Sequence, residues 1–68
     1  MKWVVWIQHL GSRSWHEIAR SDDFEMCYRA LTIYVRDNNA IVKFHILLSN
    51  TSPDALPADY PPPLELRG

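Results

Sequence analysis

A chain of 68 residues, 47% hydrophobic and 22% charged, has the make-up of one small folded domain and not of a disordered segment. Its net charge of −1 argues against an electrostatic nucleic-acid binder, and its single cysteine, Cys27, excludes an internal disulfide. No run approaches the ~20 apolar residues of a membrane span, so a soluble, cytoplasmic protein is expected, small enough to gain stability from a partner.

The first predicted element is a strand over residues 3–10, and both of its alternating sets are apolar. Trp3, Val5 and Ile7 lie on one side, and Val4, Trp6 and Leu10 on the other. A half-exposed strand alternates with polar residues, so this one belongs in the middle of a sheet with both faces covered. It does not read as a signal peptide, because Gln8 and His9 interrupt the apolar run. Gly11–Ser14 is a turn signal, and Trp15–Arg20 a shorter second strand that closes a hairpin. A two-residue loop pairs Trp6 with Glu17, Val5 with Ile18 and Val4 with Ala19, and a four-residue loop keeps the same faces. Val5, Ile7 and Ile18 then share one face with Trp3. Val4, Trp6, Trp15, Glu17 and Ala19 share the reverse.

"SDDFEMCYRALTIYVRDNN" predicts a helix. Ser21 or Asp22 can cap it, Asp22 and Glu25 resemble a capping box, and the acidic start suits the helix dipole. Phe24, Cys27, Tyr28, Leu31, Tyr34 and Val35 form one apolar stripe, and Asn38 and Asn39 accept the geometry that ends a helix. Residues 40–48 predict a third strand, with Val42, Phe44, Ile46 and Leu48 on its core face and Ile41, Lys43, His45 and Leu47 on the other. All five prolines lie beyond it. Residues 50–68 therefore read as a Pro-rich tail, extended or disordered, after a domain of residues 1–49.

The fold class expected is α+β of ββαβ type: a three-stranded sheet in the order 2-1-3 with one helix on one face. The central place goes to the first strand because it is apolar on both sides, and Lys43 suits the third to an edge. One helix covers one face. The reverse would leave Val4, Trp6, Trp15, Ile41, Lys43, His45 and Leu47 as a partner-binding surface, since a contiguous apolar patch with two tryptophans marks an interaction site.

Chemistry-bearing groups offer little. His9, His16 and His45 are spread over three strands and lack metal-ligand spacing. Cys27 lies in the apolar stripe, away from the electropositive setting of a reactive thiolate. Helix-start position accounts for Asp22, Asp23 and Glu25. With two glycines there is no phosphate loop, and "NTS" at residues 50–52 matches a glycosylation acceptor by chance alone. No enzyme, cofactor or metal is expected. The reading is a non-enzymatic regulatory or inhibitory protein-binding module, most simply a sheet-face homodimer, with a hetero-partner next. By analogy of size alone it also fits a phage or mobile-element accessory protein that blocks a host factor. The alternative is single-stranded nucleic-acid binding, with Trp6 and Trp15 stacking on bases. The tail admits three readings: a "YPPPLEL" ligand segment, a lid that brings Leu56, Tyr60 and Leu64 onto the tryptophans, or a passive terminus.

Overall fold

In the computed structural model, which describes residues 1–68, β1 (Trp3–His9) runs between β2 (His16–Ser21) and β3 (Ile41–Leu48), antiparallel to both. The helix α1 (Phe24–Asp37) connects β2 to β3 and packs on one face of the sheet. The expected order around β1 holds, but the sheet has four strands and not three. Leu64–Arg67 forms β4, antiparallel to β3, so the order is β2-β1-β3-β4.

The expectation of an extended or disordered tail is corrected at the same point. Residues 49–63 make ordered turns before β4 begins. Ser52 caps a short 3-10 helix (Pro53–Ala55), its Oγ accepting from the Asp54 N–H at 3.3 Å, and the Tyr60 N–H donates to the Pro57 carbonyl at 3.0 Å. β4 starts directly after Pro61–Pro63, and the hydrogen-bond pattern explains why. The Leu10 N–H donates to the Ile41 carbonyl at 3.0 Å, and the Ser49 N–H to the Lys2 carbonyl at 2.9 Å. Odd-numbered residues of β3 therefore bond to β1 and even-numbered ones face outward. Gly68 donates to the Ala40 carbonyl at 2.8 Å, and the β3–β4 pairing runs from there to Phe44 opposite Leu64. The next outward residue, Ile46, would fall opposite Pro62, which has no N–H to give. The ladder stops there.

The helix starts later than the sequence suggests, capped by neither Ser21 nor Asp22. Asp23 is its N-cap, with Oδ1 accepting from the Glu25 N–H at 2.9 Å, and the Ser21 Oγ accepts from the Asp23 N–H at 3.0 Å. Glu25 thus sits too early in the first turn to close a capping box with Asp22. Asn38 caps the C-terminus, and Asn39 takes the left-handed conformation, φ 48°, that ends the helix. Cys27, Leu31 and Val35 are the buried residues of α1, and they pack on Val5, Ile7, Val42 and Phe44 from the sheet.

The hairpin face assignment holds for all residues but one. The β1–β2 register shifts between Val5 and Trp6, so Val5 pairs with Ala19 while Trp6 pairs with Glu17, and Ile18 is the extra residue of a bulge. Ile18 and Ala19 consequently both pack against the helix-side core. Simple alternation along the hairpin puts Ala19 on the reverse, and the bulge corrects that. An odd insertion inverts the alternation from that point on, which no even-length loop does.

Leu31 carries the helix side of this core. Leu31→Ala is expected to lower stability by about 2–5 kcal/mol in urea unfolding, and Phe24→Ala by clearly less, because the Phe24 ring is already half exposed. Equal losses would contradict this packing.

Candidate protein-binding surface

The seven residues expected to form a partner surface do share the face opposite the helix. Val4 pairs with Leu47, Trp6 with His45 and Gln8 with Lys43, and Ile41 follows in alternation. The chain itself covers the centre of this face. Val4, Leu47 and His45 are buried, His45 to 8% exposure. Trp15, from the β1–β2 connection, lies over His45 at a centroid distance of 5.3 Å with the rings 34° apart, and Tyr60 meets His45 edge-on at 5.5 Å. The folded-back segment thus acts as a lid, with Tyr60 on His45 as the contact that seats it. Trp6, Trp15 and Ile41 are half-buried and Lys43 is exposed. The Trp6 Nε1 is buried without an acceptor, a costly arrangement for an indole N–H. Beside it the exposed Glu17 accepts from Arg20 Nη2 at 2.8 Å, and that hydrogen bond holds the Glu17 carboxyl below its ordinary range.

The larger apolar opening lies at the outer edge of β3. Phe24 and Tyr28, on the first turns of α1, are each about half exposed, Tyr60 a little less, and Leu64 more so. With Phe44 and Ile46 they line a groove of about 350 Å³, walled by the helix on one side and Tyr60–Pro62 on the other. Phe24 packs edge-on against Trp3 at 5.2 Å, and Tyr28 against Phe44 at 6.3 Å, so both rings are braced and not loose. The floor of the groove is the stretch of β3 that the prolines leave unpaired. The Leu48 carbonyl is taken by the Thr51 N–H at 2.9 Å. The N–H and carbonyl of Ile46 and the N–H of Leu48 face outward with no strand partner.

This groove was not anticipated from the sequence. Phe24 and Tyr28 lie in the apolar stripe as core candidates, and only the end of β4 at Leu64 shows that their side of the helix has nothing over it. The triple proline was the available signal, since residues without an N–H cannot continue a ladder.

The remaining chemistry-bearing groups stay apart. His9 lies on the helix side, its Nε2 3.2 Å from the Tyr34 hydroxyl, while His45 lies on the reverse and His16 is exposed. No three His, Cys, Asp or Glu side chains converge as metal ligands would. The buried Cys27 thiol donates weakly to the Trp3 carbonyl at 3.7 Å, and desolvation pushes its pKa above the ordinary value. Such a thiol packs; it does not attack. No helix is long and apolar enough to cross a membrane. No protein-family model, curated protein or solved structure matches the chain.

Burial holds the His45 pKa below its ordinary 6.5. The unfolded chain therefore takes up a proton at His45 before the folded one does, and stability falls as pH drops below about 6.5, levelling off once the folded-state pKa is passed. Thermal unfolding from pH 8 to pH 5 is expected to show this loss in the wild type and a flatter profile in His45→Gln. Parallel profiles would mean that His45 is solvated in the folded state.

Proposed function

We propose that the protein is a non-enzymatic protein-binding module, regulatory or inhibitory in effect, that takes an extended peptide segment of its partner along the open stretch of β3. The observation that carries this reading is the juxtaposition of outward-facing backbone groups at Ile46 and Leu48 with the apolar groove of Phe24, Tyr28, Ile46, Tyr60 and Leu64. Strand addition uses those two features together. Backbone hydrogen bonds hold the peptide in line, and a pocket for alternate side chains selects it. Here the outward groups of Ile46 and Leu48 would bond the guest backbone, and the groove would take one apolar side chain of the guest. The braced rings of Phe24 and Tyr28 lose little freedom on binding, which favours affinity.

The tryptophan-bearing face supports binding less well. Val4 and Leu47 are already buried within the chain, and His45 already packs against Trp15 and Tyr60. What the face offers to solvent includes Glu17 and Lys43. A partner there would first have to displace the folded-back segment.

A random linear-peptide library panned on the protein tests the proposal. The expected winners carry an apolar side chain in an extended context, shift the Ile46 and Leu48 amide resonances, and bind at least ten-fold more weakly to Tyr28→Glu, about 1.4 kcal/mol, while circular dichroism stays unchanged. Winners that bind Tyr28→Glu and Leu64→Lys equally well would reject the groove.

A further inference from the structure

We infer that β4 is a self-pairing edge, and that a second copy of this chain adds to it antiparallel, joining two four-stranded sheets into one. This goes beyond the peptide groove and does not depend on it: the groove opens on the unpaired stretch of β3, the new pairing uses the outward groups of Glu65 and Arg67 on β4, and the two share only Leu64.

The argument begins with hydrogen-bond parity. Gly68 donates to the Ala40 carbonyl, and Leu64 and Leu66 pair with Phe44 and Val42, so the even-numbered residues of β4 bond inward to β3. Glu65 and Arg67 therefore turn their N–H and carbonyl groups outward, and β4 is the last strand of the sheet. Centring an antiparallel copy on Leu66 places Glu65 opposite the partner's Arg67, and Arg67 opposite the partner's Glu65. Those are the hydrogen-bonded pairs of the new ladder. The same register makes every charge meet its opposite: both side chains lie on the face away from the helix, both are exposed, and they already sit 3.5 Å apart along their own strand. Cross-strand opposite charges stabilise such pairing, and like charges oppose it. On the helix side, Leu66 meets the partner's Leu66. Leu64, 66% exposed, lies opposite the partner's Gly68, which has no side chain to crowd it.

The other edge of the sheet also carries opposite charges, Glu17 and Arg20, but it is irregular. β2 carries the bulge at Ile18, which breaks the regular spacing of its backbone groups, a device that protects edges from pairing. β4 has no bulge and no proline between Leu64 and Arg67. Self-complementary charge on an edge without a bulge points to a second copy as the occupant.

Sedimentation equilibrium across a concentration series tests this with charge-reversal variants. Wild type is expected to move from monomer toward dimer mass by millimolar concentration, with hydrogen exchange of the Glu65 and Arg67 amides slowing as concentration rises. Glu65→Arg and Arg67→Glu should each stay monomeric alone, at least ten-fold weaker in association. Mixed with each other they should form a heterodimer, which a folding defect could not produce, and the double variant Glu65→Arg/Arg67→Glu should dimerise like wild type. A wild type that stays monomeric, or single variants that dimerise unchanged, would overturn the proposal. Neither outcome bears on the groove, since these substitutions leave Phe24, Tyr28 and Ile46 untouched.

Discussion

Two consecutive residues of β1 set the constraint on which the structure depends. Val4 and Val5 are 1% and 0% exposed, and as neighbours on a strand they point to opposite sides. A strand buried on both faces must have strands on both edges and cover above and below. One amphipathic helix supplies cover for one side only, through Cys27, Leu31 and Val35. On the other side, Trp15 from the hairpin connection and Tyr60 from the segment after β3 both pack on His45. A domain of this length has no spare layer, so its own connections serve as the second roof.

The proline run divides the outer edge of the sheet into two unlike parts. Beyond Pro63 the chain can donate again, and Leu64–Arg67 forms a regular strand. Before it, Pro61–Pro63 can offer carbonyls but no N–H, so the backbone of β3 at Ile46 is left open. Tyr60, directly before the run, packs edge-on against His45, and Pro61 and Pro62 line the groove beside it. One local feature thus opens the groove and fixes where β4 begins.

The two roofs differ in how firmly they are held. The helix side is one continuous core of eight buried residues, most of them aliphatic, with Cys27 and Phe44 among them. Segment 49–63 contains no buried residue and is held by a few turn hydrogen bonds and by Tyr60. Local opening follows such differences, since segments with few buried apolar contacts open at the smallest cost. Segment 49–63 is therefore among the parts of the molecule that open at the smallest cost, and His45 is the titratable group that Tyr60 packs on.

Much of this was legible in the residues alone, wherever the governing interaction is local. The stripe of Cys27, Leu31 and Val35 encodes the helix and its buried face, Asn38 and Asn39 encode its end, and the doubly apolar run from Trp3 marks β1 as central. What only the tertiary structure decided depends on pairing between distant segments. The bulge at Ile18, which moves Ala19 to the core face, arises from register against β1 and has no signature within β2. The fourth strand is invisible because Leu64–Arg67 is short and follows prolines, and becomes a strand only when β3 presents an edge to it. The groove inherits both: it is the space left where one long-range pairing ends, and composition cannot locate a boundary that hydrogen-bond parity sets.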